Sequence, residues 1–432
     1  MRCSPFSVMS AGTFSPGMRK ARWRYEKRYD MSRFLYCRCR GRPYIVPEKA
    51  QSPPREDPTM KIERVAAYGV LLPQKVVYTT AVMSYSELQT VVTEVTLEGG
   101  ATGVGQASIS RAPYSAFGET LEGAVNAINN YLGPAILGLE ATAMEVVHRR
   151  MEAALTANPF AKTSIDIALH DAVGHALGIP VAALLGGPIV KEVPFLYSIG
   201  NFPTDELVDK AVEAVENGYT LLKLRVGIDQ KTDVRNLAAV RERLGDDIHI
   251  GVDFNAGLQE AHGRPDKAIA WVRALERFNL DTIEQPVGAW DLEGLARVTA
   301  AIDTPIVADE SMWSLHDAQR IISMHAADIL KIKLIKTRGL HQARKIANLC
   351  ESAGVPLVIG HGIAGVVQNA AEAHFAASVP GWKAPGEFNG FLKMKQDIAA
   401  PLTVVGHNII LTDAPGLGVD YQVSEAKSLK VA

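Results

Sequence analysis

The chain has 432 residues, of which 47% are hydrophobic and 21% are charged, and its 45 basic and 47 acidic side chains nearly cancel. This composition is typical of a globular protein with a large core, and it offers no general electrostatic reason to bind nucleic acid or an anionic membrane surface. No apolar run approaches the roughly 20 residues that cross a bilayer. We therefore expect a protein that acts on small molecules, with no nucleic-acid or membrane partner.

The N-terminal 59 residues differ from the rest of the chain. They are rich in arginine, lack hydrophobic periodicity and end in the turn-prone Gln51-Ser52-Pro53-Pro54. We interpret residues 1–59 as a disordered basic extension. Its early part is similar to an organelle transit peptide but has no clear amphipathic repeat. The favoured interpretation is that Met60 is the true start, or that the extension is a dispensable tail.

Cysteine usage indicates a reducing compartment. Three of the four cysteines, Cys3, Cys37 and Cys39, lie in the extension, which leaves only Cys350 in the remainder of the chain. No disulfide framework can then support the main fold. A cytoplasmic location is expected.

Two patterns follow one another from Met60 onward. Alternating strands such as 90–97 and helix-like stretches from Glu119 to about Leu185 predict a small α+β capping domain over residues 60–187. A short apolar strand followed by an amphipathic helix then repeats seven or eight times, which predicts a (β/α) barrel of the TIM type over 188–400. Residues 401–432 are expected to return to the capping domain.

The carboxyl ends of barrel strands form the active-site face, so polar residues there indicate chemistry. The predicted strands are 193–200, 221–226, 248–254, 282–284, 305–309, 328–333, 356–361 and a weak last strand near 386–388. Strands two to six carry charged groups that an apolar packing layer would not choose: Lys223, Arg225, Asp253, Glu284, Asp309 and Lys333. Three carboxylates on adjacent strands, without His or Cys, favour a site for Mg²⁺, with Mn²⁺ as a substitute.

Lys333 is the predicted base. A metal ion and lysine ammonium groups can stabilise the enediolate that forms when a proton beside a carboxylate is removed. A lysine base needs its pKa lowered from about 10.4 toward roughly 7 to 8, and burial with neighbouring positive charge is expected to do this. Lys331 is expected to point to the opposite side of its strand, among the outer helices. Arg225 stays protonated and can only bind or polarise.

These motifs resemble the enolase superfamily, and specifically its muconate lactonizing enzyme subgroup, over Met60 to Ala432. The resemblance is carried by segments 164–171, 184–187, 223–227, 252–255, 284–286, 308–311, 328–333 and 386–390. It implies that Asp253, Glu284 and Asp309 bind Mg²⁺, that Lys333 is an acid/base, and that Lys223 supports the substrate carboxylate. It also implies a small carboxylate substrate selected by the capping domain, and a homo-oligomer.

One departure from the family pattern bears on the reaction. The second strand usually carries Lys-x-Lys, but here the second lysine is replaced by Arg225, and an epimerase needs a base on each face of its substrate. A one-base outcome is favoured, with cycloisomerisation first, dehydration of a hydroxy acid or cyclic imino acid second, and epimerisation third. A second departure, Lys336-Thr337-Arg338-Gly339, adds a cation to a stretch that is usually richer in glycine.

Further residues are predicted to meet the substrate. They are His361, Glu387 and Asn255 at strand ends, with Arg111 and Tyr114 in the capping segment 108–117, which with 77–87 is expected to close over the pocket. Two other classes of function stay open. Lys333 could form a Schiff base in a metal-independent aldolase, or the barrel could have lost catalysis, as the presence of Arg225 would allow.

Overall fold

The computed structural model describes residues 60–79, 84–109, 118–256, 264–360, 363–382, 385–422 and 429–431. The predicted basic extension lies outside these residues. So do three of the predicted substrate contacts, Arg111, Tyr114 and His361.

The first part of the described chain is an antiparallel sheet backed by helices. Three strands, β1 (Ile62–Thr79), β2 (Ser84–Leu97) and β3 (Thr102–Ile109), pair in that order. The helices that follow are α1 (Leu121–Ala127), a π-helical turn (Ile128–Leu132), α2 (Gly133–Ile136), α3 (Met144–Ala154), α4 (Pro159–Leu177) and α5 (Val181–Leu184). Alternate residues of a strand face opposite sides, so Val91 and Val95 join one apolar core while Val92 joins another. The sheet therefore separates two cores.

The sheet and α4 approach each other unusually closely at two glycines of β3. A Cβ atom at Gly103 would overlap the backbone of Ala168 and Ala172, and one at Gly105 would overlap that of Ser164. Glycine allows this backbone contact because it has no side chain. The first half of β3 is thereby fixed against a buried helix.

A parallel sheet with outer helices forms the second part of the chain. After β4 (Glu192–Pro194), the seven neighbouring strands run in sequence order: β5 (Tyr197–Ile199), β6 (Leu221–Arg225), β7 (His249–Asp253), β8 (Thr282–Glu284), β9 (Ile306–Ala308), β10 (Ile329–Ile332) and β11 (Leu357–Ile359). The helices are α6 (Thr204–Glu216), α7 (Gln230–Leu244), α8 (Pro265–Glu276), α9 (Leu292–Thr299), α10 (Leu315–Ser323), α11 (Leu334–Thr337), α12 (Leu340–Ala353) and α13 (Val366–Ser378). The predicted barrel with an α+β cap is confirmed.

Two details of the predicted strands are wrong. The predicted first strand, 193–200, divides in two: β4 ends at Pro194, which has no N–H to donate, and pairs with β13 (Asn408–Ile410), itself paired with β12 (Val404–Val405). The weak last strand near 386–388 is a single bridge between Gly386 and Phe195 within the described residues.

The C-terminal segment contacts the antiparallel sheet and the helices of the first part of the chain. The N–H of Val431 donates to the carbonyl of Gly69 in β1 at 2.9 Å, and that of Leu417 donates to Asp171 of α4 at 2.7 Å. The domain boundaries drawn from the sequence stay a prediction. In the part of the chain that the structure describes, no helix is both long and apolar enough to cross a membrane.

Candidate active site

The carboxyl ends of β6 to β10 bring charged side chains into the barrel interior. Residues two apart on a strand share a face, so Lys223 and Arg225 point inward together, and Lys331 and Lys333 do the same. The expectation that Lys331 packs among the outer helices is therefore wrong, because an interval of two residues does not change the side of the strand. Its Nζ lies 2.8 Å from Glu284 Oε1, inside the barrel.

Three buried carboxylates lie on consecutive strands. Asp253 and Glu284 are direct neighbours in the β7–β8 register, and Asp309 follows the end of β9. Burial, followed by the repulsion of Asp253, raises the pKa of Glu284 to about 8. Burial acts to raise the pKa of Asp309, but the ammonium groups of nearby lysines, Lys333 first, outweigh it and hold that pKa well below its usual range. Three acidic groups this close together need compensating positive charge.

Four of these side chains form a compact group that we call the lysine–glutamate quartet: Lys223, Lys331, Glu284 and Glu387. Lys223 Nζ lies 2.8 Å from Glu284 Oε2 and also bonds to Glu387. Lys331 Nζ lies 2.7 Å from Glu387 Oε1, the oxygen that Lys223 also contacts. Lys223 further contacts Asp253 Oδ2 at 2.7 Å. The quartet therefore joins the strand-end segment at Glu387 to the predicted metal ligands.

Asp309 has two lysine partners. Lys333 Nζ lies 2.5 Å from its Oδ2, and Lys336 Nζ of α11 lies 2.6 Å from its Oδ1. Burial acts to lower the pKa of Lys333, but the Asp309 carboxylate outweighs it and raises that pKa above the ordinary lysine value. The expected fall in the pKa of Lys333 is thus absent while Asp309 is its direct counter-ion. By contrast, burial leaves the pKa of Lys336 lowered.

Arg225 occupies a different part of the site. Its Nη1 bonds to the carboxylate of Asp253 and lies 3.1 Å from Asn255 Oδ1. Asn255 has a positive φ of 49°, and its N–H donates to Asp253 Oδ1 at 2.7 Å. Arg225, Asp253 and Asn255 therefore form one hydrogen-bonded group at the ends of β6 and β7.

Three charged residues of the site were not predicted from the sequence. Lys331 could have been found by the two-residue period that it shares with Lys333. Lys336 follows Lys333 by three residues, about one helical turn, which is the spacing that brings both to Asp309. Glu310, whose pKa burial raises to about 7, accepts a hydrogen bond from Asn255 Nδ2 at 3.5 Å. Arg338 lies elsewhere, 3.7 Å from Glu152 of α3.

The donor set fits a hard divalent cation. Asp253, Glu284 and Asp309 offer only oxygen atoms, which is the chemistry that Mg²⁺ prefers. Within the described residues, no three His, Cys, Asp or Glu side chains are gathered as a formed metal site, since each of these carboxylates is turned toward a lysine or arginine. The lysine and arginine side chains supply the positive charge that these three carboxylates require. The carboxylates are therefore suited to exchange these contacts for contacts with a metal ion.

Gly360 makes room for Lys331. A Cβ atom at Gly360 would overlap Lys331 Cε and lie 3.1 Å from Glu387 Oε2. We expect Gly360→Ala to lower the free energy of unfolding by about 1–3 kcal/mol, because an overpacked core must shift its side chains. Chemical denaturation would measure this cost twice, as Gly360→Ala against the wild-type chain and as Lys331→Ala/Gly360→Ala against Lys331→Ala. The cost should shrink by at least about half in the Lys331→Ala background, whereas equal costs in both backgrounds would contradict the contact.

Two family models match the chain. Residues 65–186 match the mandelate racemase / muconate lactonizing enzyme N-terminal domain, and residues 206–426 match the enolase C-terminal domain-like family. The L-Ala-D/L-Glu epimerase of Clostridium acetobutylicum is 33% identical over 364 residues, which cover 84% of this chain and 99% of that protein. Muconate cycloisomerase 1 of Rhodococcus opacus is 29% identical over 337 residues, which cover 77% of this chain and 89% of that protein.

Solved structures share the whole architecture from the capping sheet to the C-terminal segment. The N-succinyl Arg/Lys racemase of Bacillus cereus superposes with a TM-score of 0.82 at 31% identity, over 86% of this chain and 99% of that one. The dipeptide epimerase of Enterococcus faecalis, complexed with Mg and the dipeptide L-Leu-L-Tyr, gives a TM-score of 0.78 at 30% identity, over 84% and 100%.

Proposed function

The chain is an enzyme of the mandelate racemase / muconate lactonizing enzyme family in the enolase superfamily, and on that premise we propose that it removes the proton alpha to the carboxylate of a small organic acid. Lys333 is the proposed base. The observation that carries this proposal is its placement: Lys333 is buried in the barrel and lies 2.5 Å from Asp309, beside the other two strand-end carboxylates. A lysine held there can exchange a proton with a substrate bound at the same carboxylates.

Asp253, Glu284 and Asp309 are the proposed ligands of Mg²⁺. When bound, the metal supplies positive charge that stabilises the enediolate. The Mg-containing dipeptide epimerase structure supports this choice of cation. Lys223, which already contacts Asp253 and Glu284, is placed to bind the substrate carboxylate. Glu387 holds Lys223 and Lys331, and so orients them for that contact.

The charge balance of the site also supports a divalent cation. Five cationic side chains, Lys223, Arg225, Lys331, Lys333 and Lys336, face five acidic ones, Asp253, Glu284, Asp309, Glu310 and Glu387. When all five acids are ionised and Lys333 is neutral, as its role as a base requires, the protein groups alone carry an excess of negative charge. An anionic substrate would be repelled from such a site unless positive charge were added. A divalent cation supplies that charge.

Among the possible reactions, we place one-base chemistry of the muconate cycloisomerase kind first. Arg225 is the reason, because a guanidinium keeps its proton and leaves Lys333 as the one base. Epimerisation of a dipeptide or an N-acylated amino acid is the second candidate, and it is favoured by the 33% identity to an epimerase. Dehydration of a hydroxy acid uses the same first step. A Schiff-base aldolase leaves the three carboxylates without a purpose.

Chelation tests the proposal directly. Exchange of the α-proton in deuterated buffer would be followed by NMR across dipeptides, N-succinyl amino acids and hydroxy acids, and muconates would be tested for deuterium incorporated into the lactone that they form. We expect EDTA to lower the rate about 100-fold or more, because the enediolate loses its main electrostatic support. Added Mg²⁺ or Mn²⁺ should restore the rate. Unchanged turnover in EDTA, together with borohydride trapping of substrate on Lys333, would point to the aldolase instead.

A further inference from the structure

Helix α13 buries five polar side chains, and three of them, Gln368, Asn369 and Glu372, are fully buried and hydrogen-bonded to one another. We call them the α13 bridge. Gln368 Nε2 donates to Glu372 Oε1 at 2.8 Å, and Asn369 Nδ2 donates to Glu372 Oε2 at 2.7 Å. Buried polar groups are costly unless they are fully hydrogen-bonded. These three side chains satisfy one another's hydrogen bonds, so their value to the fold lies in the contacts that they fix.

The two ends of the α13 bridge reach different parts of the fold. The N–H of Ser108, near the end of β3, donates to Gln368 Oε1 at 2.8 Å. The N–H of Phe391 donates to Asn369 Oδ1 at 3.0 Å. Phe391 lies four residues after Glu387, a member of the lysine–glutamate quartet. The bridge therefore connects the end of a capping strand to the segment that carries an active-site carboxylate.

Glu372 determines the orientation of both amides. When Glu372 is ionised, both of its carboxylate oxygens only accept, so Gln368 and Asn369 must both turn their NH₂ groups toward it, as they do here. Each amide oxygen is then turned outward, where it meets a backbone N–H. Burial raises the pKa of Glu372 to about 8, while the nearby Lys333 ammonium acts in the opposite direction and Glu387 adds to the rise. The bridge thus lies within the electrostatic reach of the site.

We propose that Gln368, Asn369 and Glu372 are positioning residues that set substrate selectivity by holding the end of β3 in register with the Glu387 segment. This inference rests on the proposed function, because selectivity is defined by turnover at that site. In the part of the chain that the structure describes, the hydrogen bonds of the bridge reach none of the proposed metal ligands. The bridge acts through the backbone at Ser108 and at Phe391.

Glu372→Gln is the first test. The new side chain presents one NH₂ group where a carboxylate oxygen stood, so it opposes an NH₂ of Gln368 or Asn369. The two opposed NH₂ groups can be separated only if one of those amides flips. The flip turns its NH₂ group toward the N–H of Ser108 or Phe391, which then loses its acceptor. At about pH 9, above the pKa of about 8 at which the wild-type Glu372 ionises, we expect amide hydrogen exchange at one of these two positions to be at least tenfold faster in the variant than in the wild type. We also expect the ratio of kcat/KM between a long and a short carboxylic acid to shift at least fivefold, mainly through KM.

A compensating variant makes the test specific. In Gln368→Glu/Glu372→Gln, the carboxylate moves to position 368, where it accepts from Ser108 and from the new amide, whose oxygen still accepts from Asn369. All donors are satisfied again, so wild-type exchange rates and selectivity should return. If the single variant does not fold, this double variant still decides: altered selectivity in a folded double variant would overturn the proposal.

Asp171→Asn is the matched control. Asp171 is a buried carboxylate of α4 that accepts from the N–H groups of Val104 and Leu417 at 2.9 and 2.7 Å, so it holds the beginning of β3 and not the end that carries Ser108. Its amide should disturb local exchange without changing selectivity. Equal selectivity shifts in both variants would reduce the bridge to a structural role. If the wild-type chain turns over no acid, the proposed function fails, but unchanged exchange at both Ser108 and Phe391 in Glu372→Gln would separately overturn the bridge.

Discussion

Replacing Lys333 with methionine is expected to lower the rate of α-proton removal by about 10²–10⁴-fold, the usual contribution of a positioned general base. Methionine keeps an unbranched side chain of similar length, so the packing around β10 should be preserved while the amine is lost. Single-turnover exchange in deuterated buffer, at saturating substrate and Mg²⁺, measures the chemical step. The loss should appear in kcat, because the lysine acts on the substrate only after it is bound.

Lys336→Met is the control for Lys333→Met. Both lysines bond to a carboxylate oxygen of Asp309, at 2.5 and 2.6 Å, so both changes remove one cation from the same partner. Only Lys333 is the proposed base. We expect the Lys336 variant to lose on the order of tenfold in rate, through altered charge at Asp309. Equal losses in the two variants would show that charge at Asp309, and not proton transfer by Lys333, explains the first result.

Arg225→Lys is expected to give the site a second base. The wild-type enzyme should exchange the α-proton of a dipeptide or an N-acylated amino acid in one configuration only. A lysine at position 225 can lose its proton where a guanidinium cannot. Deuterium incorporation with inversion should therefore rise by about 10- to 100-fold. Chiral chromatography of the product, combined with mass spectrometry, would separate retention from inversion.

Arg225→Met shows whether a gain depends on the new amine. This variant also removes the contacts of Arg225 with Asp253 and Asn255 but supplies no base. It should lose activity without gaining inversion. Rapid epimerisation by the wild-type enzyme would contradict the one-base proposal, and it would make the second candidate function the correct one.

The position of the site could be predicted from the sequence because barrel geometry places it. Once the repeating strand–helix pattern is recognised, the residue at the end of each strand is known to face the others. This is why Asp253, Glu284 and Asp309 could be grouped although they are separated by more than twenty residues each. The family resemblance then assigned them a chemistry, and the family models support that resemblance.

What the sequence could not predict depends on contacts between distant segments. The pKa of Lys333 depends on its distance from Asp309, which no pattern reveals, and the α13 bridge joins residues more than 250 positions apart. The last predicted strand failed for a related reason. A strand requires several successive residues to pair with a neighbour. Within the described residues of this segment only Gly386 forms such a bridge, to Phe195, although the N–H of Glu387 also donates to the carbonyl of Ile359 in β11.

The pairing of every proposed metal ligand with a lysine or arginine has a consequence for how the protein is made. Many small metal sites are clusters of repelling ligands that stay unfolded until the ion arrives. In this barrel, the chain supplies its own cations, so the newly synthesised protein can fold before it meets a metal. The same cations must be displaced when the metal enters, which weakens its binding. If Mg²⁺ is the cofactor, we therefore expect its loading to be reversible and to follow the supply of the ion, so that a shortage inactivates the enzyme without unfolding it.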